Sequence, residues 1–199
     1  MAHPDVWIVV PAFNEASDIG DVVADLRSEF RHVVVVDDGS RDDTAAVASR
    51  AGAHVVTHPV NLGQGAALQT GVEYARAQPG AAVFVTFDAD GQHRVADVVM
   101  MIDRLRRDGL DIVIGTRFAG GAPSRVPGLK RVVLRAAAWL SPSSRRLHLT
   151  DTHNGLRVFD RKVADGLNLT MNGMSHASEF ISLIAENHWR VGEEPVEIL

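Results

Sequence analysis

Residues 83–93 read VFVTFDADGQH. Val83, Phe84, Val85 and Thr86 favour the strand, and Phe87 carries the run straight into Asp88-Ala89-Asp90. In an extended backbone, residues i and i+2 point to the same side. Asp88 and Asp90 would then present like charges at one spot, which calls for a cation or a shared proton. The other reading is a solvated turn, because Asp and Gly are common turn residues. The sequence on either side has to decide.

Working outward, short Val- and Ile-rich runs alternate with helical patterns. Val6–Val10, Val33–Val36, Ala53–Thr57, Ala81–Phe87 and Asp111–Gly115 are expected as strands. Ala16–Phe30, Asp42–Arg50, Gly65–Ala77 and Val95–Arg107 carry helix-like spacing of apolar residues. Such alternation implies an α/β fold, a mostly parallel sheet covered by helices on both faces. These folds bind ligands beyond the carboxyl ends of the strands, where the polar motifs fall here. After Gly115 the pattern changes. Arg117–Lys130 is a long loop rich in Gly and Pro, and a long loop in a compact domain is often a binding loop. Lys130–Leu140 and Ser175–His188 are then expected as helices, Leu156–Phe159 and Arg190–Ile198 as strands.

The chain has 199 residues, most simply one domain with a real core. A formal net charge of −5 argues against nucleic acid as a partner. With no cysteine, a disulfide framework, a thiolate zinc site and a Cys nucleophile are excluded. The N-terminus lacks the layout of a signal peptide, and no apolar run approaches the roughly 20 residues of a membrane helix. The expected location is the cytoplasm, with peripheral work at the inner face of the membrane as an option.

Three further strand exits carry chemistry. Val10 leads into Pro11-Ala12-Phe13-Asn14-Glu15, where Asn14 can cap the next helix, Phe13 can stack on a base and Glu15 can accept from a base or ribose. Val36 leads into Asp37-Asp38-Gly39-Ser40, whose adjacent carboxylates point in different directions, so one can serve the loop while the other faces the crevice. Asn61-Leu62-Gly63-Gln64-Gly65 opens a helix N-terminus, which favours an anion. It matches neither the Walker A loop nor G-x-G-x-x-G.

In order and spacing, PAFNEA, VVDDGSRDDT, NLGQGAAL, DADGQH and GTRF resemble the family-two glycosyltransferases, most closely the branch that glycosylates polyprenyl phosphates such as dolichyl phosphate. The resemblance spans about Val6 to Glu197. It implies a single-domain GT-A fold, inversion at the anomeric carbon, and Mg²⁺ or Mn²⁺ as cofactor. By position, Pro11, Phe13, Glu15, Val36, Asp38, Asp88 and Ala89 would contact the nucleotide. Asp88, Asp90 and Gln92 would meet the metal, with His93 in support because nitrogen suits Mg²⁺ poorly. Arg117, Asp151 and Glu179 would serve catalysis, Arg117 near phosphate oxygens and Asp151 near the sugar. Arg117, Arg125, Lys130 and Arg131 would bind the acceptor. The nucleotide part would occupy about residues 1–117 and the acceptor part 118–199.

The implied donor is a GDP- or UDP-sugar and the implied acceptor a polyprenyl phosphate. Alternatives are a saccharide or small-molecule hydroxyl acceptor in cell-envelope polysaccharide synthesis, and a non-catalytic nucleotide-sugar binding module. Two departures stand out. Gln64 occupies a position where many members carry Lys, and no basic segment follows the last strand, so a membrane protein partner could complete the acceptor site.

Overall fold

The computed structural model describes residues 3–117, 147, 149–151, 154–172 and 175–199. Its centre is one seven-stranded sheet. In chain order the strands are β1 (Val6–Ala12), β2 (His32–Asp37), β3 (His54–Thr57), β4 (Val83–Thr86), β5 (Ile112–Thr116), β6 (Arg157–Asp160) and β7 (Val191–Pro195). The helices are α1 (Ile19–Glu29), α2 (Thr44–Arg50), α3 (Gln64–Arg76), α4 (Val95–Arg107), α5 (Arg161–Gly166) and α6 (Ser175–Glu186).

Across the sheet the order is β3-β2-β1-β4-β6-β5-β7. Every adjacent pair is parallel except those made by β6, which runs antiparallel to both β4 and β5. The expected α/β architecture and mostly parallel sheet are therefore present. The inserted β6 is the departure that matters. Because it runs backwards, it brings its N-terminal end, rather than its C-terminal end, to the edge where β1, β2 and β4 finish.

The unbroken apolar runs follow from burial on two faces. All seven residues of β1 are buried. Its Val6, Ile8 and Val10 pack with Val23 and Leu26 of α1 and Met101 of α4. Its Trp7 and Val9 pack on the other face with Leu68 and Val72 of α3 and Phe180 of α6. On that second face Phe84 and Phe159, paired across β4 and β6, stack with ring centroids 5.9 Å apart. Glycine sets how closely α3 approaches: a Cβ on Gly71 would lie 2.3 Å from Val9 Cγ1.

Several boundaries differ from the sequence expectation. Helix α1 begins at Ile19, not Ala16; a turn precedes it, in which the Glu15 carbonyl accepts from the Asp18 and Ile19 amides. Asn14 does not cap that helix either; its carboxamide oxygen accepts from the Arg41 amide at 2.9 Å. The last strand is Val191–Pro195, with Ile198 forming only an isolated bridge to His93. The short helix α5 follows β6 directly, capped where Asp160 accepts from the Val163 amide. The expected helix at 130–140 lies outside the described residues.

Candidate active site

A cavity of about 480 Å³ opens at the carboxyl edge of the sheet. Pro11 and Phe13 enter it from β1, Asp38 from β2, Asp88 to Asp90 from β4, and Gly63 and Gln64 from the start of α3. The reversed β6 adds Gly155 and Arg157, and the first turn of α6 adds His176.

Two loops form one wall by exchanging bonds. The Asn14 amide donates to Ser40 Oγ at 2.9 Å, and the Glu15 amide donates to Thr44 Oγ1 at 2.8 Å. Hydroxyl and carboxylate residues after β2 thereby fix the chain that leaves β1. Both carboxylates of the Asp37-Asp38 pair serve loops. Asp37 accepts from the Ser40 amide at 3.1 Å. Asp38, 3% exposed, accepts from the Leu62 and Gly63 amides at 2.9 and 2.7 Å and faces His58 Nδ1 at 2.7 Å. Only Asp38 borders the cavity, as the expected division between them requires, but it also holds a loop of its own.

Asp88 is held at both carboxylate oxygens. Its Oδ2 faces His93 Nε2 at 3.1 Å, and Gln64 donates to its Oδ1 at 3.3 Å. Burial pushes its pKa up, yet the His93 ring, with the charges of Arg157 and His176, outweighs this and holds it below the ordinary value. A Cβ on Gly155 would fall 2.1 Å from Asp88 Oδ2, so any larger residue there would displace that carboxylate. Asp90 is exposed, and its Oδ1 accepts from the Gln92 amide at 3.1 Å in a tight turn. Glu15 has its pKa raised by burial and then by the charges of Asp18, Asp90 and Asp42.

Asp88 and Asp90 border one cavity and supply hard oxygen donors, which fits Mg²⁺ or Mn²⁺. Gln92 is not among the residues lining the cavity, and no group of three or more acidic or histidine side chains is assembled for a metal among the described residues. Any cation held by the two aspartates would take its remaining oxygens from a ligand or water.

The other expected site residues lie outside that wall. Val36 is fully buried in β2, 3.1 Å from where a Gly71 Cβ would stand, so it supports α3 instead of lining the cavity. Arg117 forms a two-pronged pair with Asp151, Nε to Oδ2 at 2.7 Å and Nη2 to Oδ1 at 2.9 Å. That bond raises the Arg117 pKa. Asp151 is in turn held by β7, where Glu193 Oε1 accepts from the Asp151 and Thr150 amides at 3.1 and 2.7 Å. Glu179 is committed elsewhere: its carboxylate accepts from the Thr170 and Met171 amides, each at 2.9 Å, and from the Thr170 hydroxyl at 2.6 Å. Burial raises its pKa, but those bonds outweigh this and lower it. Arg125, Lys130 and Arg131 lie outside the described residues.

Residues 7–167 match the family profile described as Glycosyl transferase family 2. The chain belongs to that family. It is 26% identical over 220 residues to a UDP-N-acetylglucosamine–dolichyl-phosphate N-acetylglucosaminyltransferase of Methanococcus voltae, covering 100% of this chain and 87% of that protein. It is 32% identical over 195 residues to a dolichyl-phosphate hexose transferase of Haloferax volcanii, covering 96% of this chain and 82% of that one. In fold it resembles glucosyl-3-phosphoglycerate synthase of Mycobacterium tuberculosis, solved with Mn²⁺, UDP and phosphoglyceric acid. That likeness has a TM-score of 0.76 at 19% identity, over 98% of this chain and 69% of the other. The chain is thus a glycosyltransferase with a GT-A-like fold. No helix among the described residues is long and apolar enough to cross a membrane.

Sequence reasoning gave no role to two features of this glycosyltransferase site. Glu193 was visible only as one of several acids near the end of the chain; its grip on Asp151 depends on β7 lying beside β5. Arg157 was visible only as the basic position of the stretch Asp151 to Phe159, which matches the family pattern D-x-x-x-G-[FL]-[KR], and nothing local shows that the strand is reversed.

Proposed function

We propose that this glycosyltransferase moves a sugar from a nucleotide-sugar donor to a polyprenyl phosphate, with inversion and with the help of a divalent cation. The observation that carries the acceptor choice is the state of the two candidate bases. A sugar hydroxyl needs a positioned base to become a nucleophile. Asp151 is closed by Arg117 and Glu179 is closed by Thr170 and Met171. A phosphate monoester has a second pKa of about 6 and arrives ionised at neutral pH, so it needs no base. Two relatives named for dolichyl-phosphate transfer support the same choice.

The cavity suits the donor. Phe13, 43% exposed at its rim, offers a face for a base to stack on. The start of α3 borders the cavity, and a helix N-terminus favours the negative charge of a diphosphate. A cation held by Asp88 and Asp90 would neutralise the leaving nucleoside diphosphate. The acceptor oxygen attacks the anomeric carbon from the face opposite that diphosphate, and the bond to the leaving oxygen breaks with its electron pair. Asp151, held by Glu193 and Arg117, positions the sugar and takes no proton.

The test is transfer from a panel of UDP- and GDP-sugars to a short polyprenyl phosphate in detergent with Mn²⁺, against free saccharides. Transfer to the lipid phosphate, lost in chelator and in Asp90→Asn, is expected. Transfer to saccharides alone, with a pH limb that vanishes in Asp151→Asn, would overturn the acceptor assignment. Full activity in chelator would overturn the cation.

A further inference from the structure

Among the described residues, those lining the cavity include four carboxylates, Glu15, Asp38, Asp88 and Asp90, but a single arginine or lysine, Arg157. Arg157 is 1% exposed. Its guanidinium lies over the Phe180 ring, 4.9 Å from the centroid, and Nη1 makes one long contact of 3.5 Å with the Gly155 carbonyl. Nε has no hydrogen-bond partner among the described residues. Burial lowers its pKa to about 10, with Asp88 and Asp151 pulling the other way, so the group is charged at neutral pH.

Several other buried or half-buried charges among the described residues are matched at close range. Asp111 faces both Lys162 and Arg190, and Arg104 meets Glu194. None of the ion pairs among the described residues includes Arg157. A buried charge without a close counter-ion carries a large desolvation penalty. A well-packed apolar side chain over Phe180 would avoid it. The penalty is relieved if a ligand brings the missing negative charge.

The position of Arg157 says which ligand. It pairs with Thr86 across β6 and β4, one strand turn from Asp88, and borders the same cavity as the start of α3. At the equivalent edge of α3, Gln64 is uncharged and its carboxamide is turned toward Asp88. We infer that Arg157 binds the donor's diphosphate, which lies between the N-terminus of α3 and the Arg157 guanidinium. The inference rests on reading the cavity as the nucleotide-sugar site. As the bond from the anomeric carbon to the diphosphate oxygen breaks, its electron pair stays on the diphosphate. A fixed buried cation stabilises that growing charge without having to reorganise. Arg157 is thus retained for the ligand and weakens the ligand-free protein.

Titration calorimetry with UDP and GDP, and with uridine and guanosine as uncharged controls, tests this in Mn²⁺ and in chelator. Arg157→Gln is expected to weaken diphosphate binding about tenfold or more in both buffers while leaving nucleoside binding unchanged. Arg157→Lys should recover part of the loss. Arg157→Met, which fills the space over Phe180 without charge, should melt no lower than wild type when ligand-free and gain less on adding UDP or GDP. It also serves if Arg157→Gln does not fold. Diphosphate affinity of these variants within twofold of wild type overturns the inference alone. So does an equal loss of diphosphate and nucleoside binding together with a lowered melting temperature, which marks a structural role. A wild-type chain that binds neither UDP nor GDP overturns this inference and the proposed function together.

Discussion

Asp38 illustrates how one side chain near a ligand can act through the backbone. Its three acceptor contacts close the loop from Val60 to Gly63 onto the end of β2. Asp38→Ala would leave two part-buried amides and a buried histidine without their partner, at about 1–3 kcal/mol for an unsatisfied buried group. Urea unfolding should register that loss, and nucleotide affinity should fall with it because Gly63 borders the cavity. Lower affinity with unchanged stability would instead mark direct contact with the nucleoside. Gly155 makes the sharper case. Its missing Cβ leaves the space that Asp88 occupies, so Gly155→Ala must displace that carboxylate. The expected result is a cooperatively folded protein whose Mn²⁺ and UDP binding drop by an order of magnitude or more, read by calorimetry. Wild-type binding in that variant would show that Asp88 adjusts freely.

At the scale of elements, α3 and β6 do the positioning. Helix α3 lies close on the sheet because Gly71 meets Val9 and Val36 without a side chain of its own. Gly71→Ala gains about 1 kcal/mol of helix propensity but overpacks the face at about 1–3 kcal/mol. Stability should therefore fall, and the displaced N-terminus of α3 should weaken diphosphate binding more than nucleoside binding. Denaturant unfolding and calorimetry on one preparation check both effects. Strand β6 performs the complementary task. Inserted backwards between β4 and β5, it sets Gly155 against Asp88 and places Arg157 in the cavity. In the sequence, Leu156–Phe159 reads as a strand from its composition alone, but composition carries no direction. Gly155 and Arg157 could be read as positions of a family motif, but their contacts with Asp88 and the cavity could not, for that reason. Glu179 was legible as an acid on a helix, whereas its commitment to Thr170 and Met171 depends on how the chain before α6 folds back.

Across the whole molecule, Asp111 ties the far side of the sheet together. Its carboxylate accepts from the Arg190 amide at 2.8 Å and from Lys162 Nζ at 2.9 Å, while Arg190 Nη2 stands 3.0 Å away. These join the start of β5 to α5 and to the entry of β7. Burial alone would raise the Asp111 pKa, but the bonds from Arg190 and Lys162 outweigh it and bring it down to about 2. A carboxylate depressed in the folded state stabilises the fold above its unfolded value of about 3.9 and loses that contribution as pH falls through the folded value. Wild type should therefore exceed Asp111→Asn by about 2 kcal/mol at pH 5, and the gap should shrink steadily toward pH 2. Urea unfolding at several pH values measures it. A gap independent of pH would show that packing around Asp111, and not its charge, holds the three elements.

What the sequence determined by itself was the frame. Runs such as Val33–Val36 must be buried on both faces, helical periods separate them, and polar residues follow their ends; these are local properties fixed by side-chain chemistry. They suffice to place Pro11, Phe13, Glu15, Asp38, Asp88 and Asp90 around one cavity, because parallel strands finish at one edge. Tertiary structure alone decided which of the charged residues are left for a ligand. Asp151 meets Arg117, Glu179 meets Thr170, and Arg157 meets no carboxylate at close range among the described residues, through pairings that span up to 34 residues of chain and depend on strand order. Whether a charge acts on a substrate or on its own protein is set by its neighbours in space, which for Arg157 follow from the antiparallel β6.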